Sequence, residues 1–175
     1  MAKILITGRP GSGKTTVIRK VVEGGLRLAG GFMTEEMRQE GERVGFRVQD
    51  LHSGQEGVLP RAGSGGGPRV GRYVVDVASF EGVGVRALRE AMAREGLVVI
   101  DEIGRMELCS DAFREAVSEV MRSDCDVLAT VPAHRDPFLD ALRSRSDVTL
   151  LEVTASSRDA LPARILEMLG GSGPA

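Results

Sequence analysis

Apolar positions along the chain follow two signatures: short uninterrupted runs and a spacing of three to four residues. Residues 2–7 (AKILIT) form an apolar run that ends at Gly8, the pattern of a strand buried on both faces. From Lys14 to Val22, Val17, Ile18, Val21 and Val22 share a helical face, and Gly24-Gly25 stops the helix. The rhythm returns in the second half. Arg86–Arg94 places Ala87, Leu88, Ala91 and Met92 on one helix face, and Leu97–Ile100 is a buried strand. Ser110 or Asp111 caps a helix bearing Ala112, Phe113, Ala116, Val117, Val120 and Met121. Asp126–Val131 reads as a strand, Pro137–Arg143 as a short helix and Asp147–Val153 as a strand. A last helix runs from about Ser157 to Leu169, with Pro162 tolerated in its early turns.

Residues 28–80 carry a different pattern. GGFMTEEMR, RVGFRVQDL, QEGVLP and GRYVVDV are β-rich segments separated by turn residues, and Gln39-Glu40-Gly41-Glu42 reads as a hairpin turn. A small antiparallel portion is expected beside the main parallel sheet. Residues 61–71 (RAGSGGGPRVG) are glycine-rich and expected to be mobile. The pattern therefore predicts one α/β domain over residues 1–170, with 28–80 as an insert and 171–175 as a flexible tail.

Composition narrows the function classes. The chain has 175 residues and 42% hydrophobic content, enough for one packed core. No apolar run approaches the ~18–20 residues of a membrane span, and the start is too short in apolar residues for a signal peptide. No membrane partner is expected, and the expected location is cytoplasmic. A net charge of −2, with only five Phe and Tyr73 as aromatics, gives no basic aromatic surface for nucleic acid. Cys109 and Cys125 form no CxxC, and His52 and His134 are isolated, so free thiols and no histidine metal site are expected. A monomer is the expected state.

Two constellations carry chemistry. Residues 8–15, Gly-Arg-Pro-Gly-Ser-Gly-Lys-Thr, satisfy G-x-x-x-x-G-K-[ST] between a strand and a helix. Backbone N–H groups of such a loop and the helix N-terminus behind it face phosphate oxygens. Lys14 can reach the β- and γ-phosphates, and Thr15 can give its hydroxyl to Mg²⁺. The second constellation is LVVIDE, residues 97–102. It ends an apolar strand in two acids, at the sheet edge where ligands bind in open α/β sheets. Asp101 is expected near Mg²⁺ and Glu102 at an attacking water. Arg105, Arg9, Arg69 and Arg72 are candidate cations for the charge that builds on the transferring phosphoryl group. No NKxD-type guanine-reading motif is present.

Five blocks, GRPGSGKTT, GGFMTEEMR, RVGFRVQDL with SGQEG, VGRYVVDVASFE and DEIGRMEL, occur in an order that resembles a small P-loop nucleoside-triphosphatase family. That family is known from thermophilic archaea and bacteria and has an animal relative, the cancer-related nucleoside triphosphatase. The resemblance spans Lys3 to about Leu169. It implies a three-layer α/β fold with a mainly parallel, RecA-like sheet. It also implies Mg²⁺-dependent cleavage of the γ-phosphate of ATP, GTP and other nucleoside triphosphates with little base preference. Gly8, Arg9, Pro10, Gly11, Ser12, Gly13, Lys14 and Thr15, with Thr16 behind them, match the phosphate loop. Val98, Val99, Ile100, Asp101, Glu102, Ile103, Gly104 and Arg105 match the second nucleotide-contacting segment. Thr15 and Asp101 are then the metal ligands, and Lys14, Glu102 and Arg105 the catalytic set. Position 105 is often lysine in such proteins and is arginine here. Two other readings stand beside hydrolysis: a nucleotide or polynucleotide kinase, and a nucleotide-controlled binding module.

Overall fold

The computed structural model describes residues 1–63 and 65–170; the expected flexible tail, residues 171–175, lies outside the described residues. A nine-stranded sheet runs through the molecule, built in chain order from β1 (Lys3–Thr7), β2 (Leu28–Gln39), β3 (Glu42–Asp50), β4 (Glu56–Ala62), β5 (Arg69–Val70), β6 (Tyr73–Val75), β7 (Leu97–Ile100), β8 (Asp126–Thr130) and β9 (Val148–Glu152). In space the order is β5-β6-β4-β3-β2-β7-β8-β1-β9. From β2 to β9 every neighbouring pair is parallel. From β2 outward to β5 every pair is antiparallel.

Helices cover both faces, which makes three layers. α1 (Lys14–Glu23) and α6 (Leu161–Met168) lie on one face, and α2 (Val77–Phe80), α3 (Arg86–Ala91), α4 (Asp111–Arg122) and α5 (Pro137–Arg143) on the other. The central strands must therefore be apolar on both sides. Along β7, Val98 and Ile100 enter one core cluster while Leu97 and Val99 enter the other. Along β8, Val127 and Ala129 face Leu128 in the same way. Phe32, Phe80 and Phe113 meet edge-on or tilted at centroid distances of 5.2–5.9 Å and fill the larger cluster.

The expected antiparallel portion lies beside the parallel strands and continues the same sheet. β2 is shared, since its first half pairs with β7 and its second half with β3. The path needs glycine at position 31, where φ is +101° and a Cβ would lie 1.9 Å from the Val99 carbonyl oxygen. The predicted turn is a two-residue one, with Glu40 and Gly41 at φ 51° and 82°, the left-handed pair that matches strand twist. The insert also ends earlier than expected. A helical stretch begins at Val77, with Asp76 capping α2 through the Ser79 N–H, and continues through a π-helical segment, Glu81–Val85, into α3. Val83, Val85 and two glycines depress helix propensity there, but burial of Phe80, Val85 and Leu88 holds the stretch in place. The ends of the glycine-rich stretch are hydrogen-bonded strand rather than free loop, with Arg69 and Val70 paired to Val74 and Tyr73. α6 begins at Leu161, later than the expected Ser157, and Pro162 falls in its first turn, where the missing N–H costs nothing.

One buried charge anchors the parallel half. The Lys3 ammonium donates to the carbonyl oxygens of Val120, Ser123 and Cys125 at 3.1, 2.9 and 2.6 Å. It closes the C-terminal end of α4, where carbonyls have no intrahelical donor. Lys3→Met would leave these acceptors unpaired; at about 1–3 kcal/mol per buried unsatisfied group, we expect a loss of roughly 2–3 kcal/mol. Thermal unfolding should show it as a fall of roughly 4–10 °C in Tm.

Candidate functional site

The loop between β1 and α1 leads into the helix through Gly13, which has φ +102° and gives no side-chain cap. No acidic residue occupies the first turn of α1. The first N–H groups of the helix thus face the loop without a competing side chain, the arrangement that attracts an anion. Lys14 is buried at the base of the loop, its ammonium donating to the Gly8 carbonyl at 3.0 Å and the Arg9 carbonyl at 3.5 Å. Glycine loops and lysine alike are set by the end of β1, which lies between β8 and β9.

Two strands away, Asp101 follows the last residue of β7. Its Oδ1 accepts from the Thr130 hydroxyl at 2.7 Å and from the Thr15 hydroxyl at 3.3 Å. One carboxylate thus joins the ends of β7 and β8 to the first turn of α1. Among the described residues two buried side-chain polar atoms have no hydrogen-bond partner, Ser12 Oγ and Asp101 Oδ2. Both lie in this site. Burial pushes the Asp101 carboxyl up, opposed by the two hydroxyls and by Lys14. Burial also raises Glu102, with Lys14 pulling it back down and Asp101 adding to the rise. The peptide between Asp101 and Glu102 is cis.

A cleft of about 700 Å³ connects these groups. Pro10, Gly11, Gly13, Lys14, Thr15 and Thr16 form one side, and Asp101, Glu102 and Arg105 the next. The structure therefore brings together the loop, the acidic pair and Arg105. Arg105 Nε donates to His134 Nε2 at 3.3 Å, and His134 is lowered by burial and then by the nearby Arg105 charge. Gly8, Arg9 and Ser12 belong to the loop, although Arg9 points to solvent. Val98, Val99, Ile100 and Ile103 are fully buried in the core. They offer no side-chain surface to a nucleotide, and their part is to place Asp101 and Glu102. Arg69 and Arg72 are not among the cleft residues; Arg72 stacks on Tyr73 at 5.2 Å instead.

Four residues of the site escaped the sequence reading. Thr130 is a polar residue ending an apolar strand, level with Asp101, since Ile100 pairs with Ala129. Its position after DVLA was the available signal. Glu107 is an acid between Met106 and Leu108 in the DEIGRMEL block, and it lines the cleft while 6% exposed. His134 lines it from the loop after β8, and Arg43 from β3 of the insert. Neither of these two had a local signal, because only the sheet topology brings them near the loop.

Strand order and loop together place the chain in the P-loop NTPase class: the lysine-bearing loop follows β1, and the acids follow β7, with β8 between. The model of the family described as NTPase matches residues 3–166, and the chain belongs to that family. It is 46% identical over 167 residues to the nucleoside-triphosphatase THEP1 of Thermotoga sp. (strain RQ2), covering 95% of each chain. It is 47% identical over 167 residues to the protein of the same name from Thermofilum pendens, covering 92% of this chain and 91% of that one. Among solved structures, THEP1 from Aquifex aeolicus superposes with a TM-score of 0.85 at 37% identity, covering 95% of this chain and 98% of that one. The human cancer-related nucleoside triphosphatase superposes with a TM-score of 0.81 at 39% identity, covering 96% and 97%. The expected three-layer fold and family are thereby confirmed.

The buried acids have a measurable consequence. Burial, and then the neighbouring Glu102 charge, push the Glu107 carboxyl up to about 8. A folded-state value above the unfolded one means that the native chain holds the proton while the unfolded chain releases it. Stability is then complete below the unfolded carboxyl range and falls as pH rises toward 8. Urea unfolding at a series of pH values should show this decline between about pH 5 and 8. Glu107→Gln should remove most of it, on the order of 4–5 kcal/mol. An unchanged slope in the variant would mean that Glu107 does not carry the decline.

Proposed function

We propose that this chain is a Mg²⁺-dependent nucleoside-triphosphatase that cleaves the γ-phosphate of ATP, GTP and other nucleoside triphosphates with broad base specificity. The observation that carries this reading is Asp101: a buried carboxylate with one oxygen held by Thr15 and Thr130 and the other without a partner, beside an anion-binding helix N-terminus. The relatives' names, nucleoside-triphosphatase, support the hydrolase part of it. Asp101 Oδ2 and the Thr15 hydroxyl are hard oxygen donors that would suit Mg²⁺. Held there, the cation would offset phosphate charge.

The side chains divide the rest of the task. The loop amides and Lys14 hold the phosphates and oppose the charge on the departing β-phosphate oxygen. Glu102, half-buried and raised by burial, accepts the proton of a water in line with the γ-phosphorus. The new P–O bond forms as the bridging P–O bond breaks, and diphosphate nucleoside and phosphate leave. Arg105, whose Nε donates to His134 Nε2, is the candidate cation for the transferring group. Its fork geometry differs from that of a lysine. A cradle made of backbone and phosphate-directed side chains supports broad specificity, and the chain carries no NKxD-type guanine-reading motif.

A second reading, transfer to an acceptor other than water, draws on the reach of the cleft to Arg43, Phe46 and Val70 of the insert. Labelled γ-phosphate appearing on nucleosides, monophosphates or 5′-hydroxyl oligonucleotides faster than as free phosphate would favour it.

Phosphate release across the common triphosphates, with and without Mg²⁺, tests metal dependence and base preference together. Lys14→Ala should abolish release. Glu102→Gln should slow it by on the order of 10²-fold or more while nucleotide still binds. Normal hydrolysis by Glu102→Gln would mean that another group takes the proton.

A further inference from the structure

The site holds a second carboxyl against the proposed base. Glu107 leads a short 3₁₀ turn, Glu107–Cys109, and is buried, and among the described residues no basic side chain forms an ion pair with it. The Gly104 N–H donates to its Oε2 at 3.1 Å. The Leu108 N–H returns to the Gly104 carbonyl at 2.9 Å, so the turn from 104 to 108 is closed at both ends. Glu102 and Glu107 converge on the same point. A Cβ added to Gly104 would lie 2.6 Å from Glu102 Oε1 and 2.8 Å from Glu107 Oε2. Glycine at 104 is thus the clearance that lets the two carboxyls come together, a matter of space rather than of backbone conformation.

We propose that Glu107 is a positioning residue of the hydrolytic site: its carboxyl, pinned by the Gly104 N–H, fixes where Glu102 stands in the cleft. The inference rests on the hydrolase reading above and adds a residue to it. Two carboxylates this close repel if both are ionised. With its proton kept, Glu107 is neutral, satisfies the turn and leaves Glu102 free to carry the negative charge. With the proton lost, a second charge enters a site that must also accept a polyphosphate. The groups facing Glu107 are Glu102 and Asp101 from the end of β7, which oppose its ionisation, and the N–H groups of Gly104 and Glu107 itself, which favour it. Cys109, on the same turn, is raised by burial and by Glu107. Burial dominates, and the carboxyl is pushed up to about 8, so the proton is held at neutral pH.

The test uses the full chain and reads kcat, KM, nucleotide affinity and the pH profile. Glu107→Ala removes the pinned carboxyl and should lower kcat by on the order of 10²-fold, the penalty of a misplaced reacting group, with little change in nucleotide affinity. Glu107→Gln keeps the shape and the neutral state and should restore most of that loss. It should also abolish the alkaline fall in kcat expected of the unsubstituted chain near pH 8, where Glu107 would lose its proton. Gly104→Ala should resemble Glu107→Ala, because its methyl displaces both carboxyls. Folding of each variant is read independently by Tm. If Glu107→Gln leaves the alkaline fall in place, or fails to restore what alanine loses, the inference is overturned while the hydrolase reading stands. An unsubstituted chain that releases no phosphate would overturn both.

Discussion

Everything in the site depends on placing one buried carboxylate, Asp101, where three elements end together. Its Oδ1 takes hydroxyl donors from Thr130 on β8 and Thr15 on α1, and the lowering effect of these bonds opposes a larger desolvation cost. The register makes the meeting unavoidable. β7, β8 and β1 are parallel and level, with Ile100 beside Ala129 and Leu5 beside Ala129 on its other side. Parallel strands buried on both faces have no room for polar groups along their length. The polar residues therefore gather at the carboxyl ends, and the glycine-rich loop after β1 faces acids from β7 across a single strand.

The insert is mechanically part of this arrangement. β2 hands its pairing from β7 to β3 near Phe32 and Asp50, and the Asp101 N–H is held by the Phe32 carbonyl at 3.1 Å. The Leu51 N–H reaches the Gly31 carbonyl at 3.0 Å at the same crossing. The antiparallel strands thus continue the sheet past the acidic end of β7 and form a wall of the cleft, where Arg43 stacks on Phe46 at 5.3 Å. A separately docked hairpin could move relative to the loop; a shared strand ties the wall to the acid.

Much of this was legible in the sequence, for a physical reason. Buried strands ending in Gly8 and Asp101 and helices with Val17–Val21 or Phe113–Val120 spacing are dictated by local burial, and these elements appear where the pattern put them. What was not legible depends on contacts between distant segments. The helical stretch from Val77 to Val85 has poor intrinsic propensity and exists because Phe80, Val83 and Val85 enter the core. The continuity of the insert with the sheet depends on a close approach at Gly31 that no local pattern expresses. In the site, the loop and the acidic pair were visible as motifs. Thr130, His134 and Arg43 were not, since each arrives from its own strand or loop.

The same contrast separates stability from chemistry. Asp101, Glu102 and Glu107 are raised in the folded state, each with desolvation as the leading cause. Three acids crowded at one end of a sheet weaken the fold at neutral pH, and replacing such groups by neutral ones of similar shape generally stabilises. A sequence shaped only to hold this sheet together would place apolar or amide side chains there. Elsewhere it follows the ordinary rules: Lys3 is buried with three acceptors, and Ser110 and Asp136 cap their helices. Among the described residues the unpartnered buried side-chain atoms, Ser12 Oγ and Asp101 Oδ2, both lie at the cleft, and local rules broken in one place are a mark of a functional site. Glu107 belongs among those violations even though no phosphate motif calls for it. A methyl group at Gly104 would have to displace both carboxyls. The turn at 104–108 joins a buried acid to that clearance, the combination from which the positioning role of Glu107 is proposed.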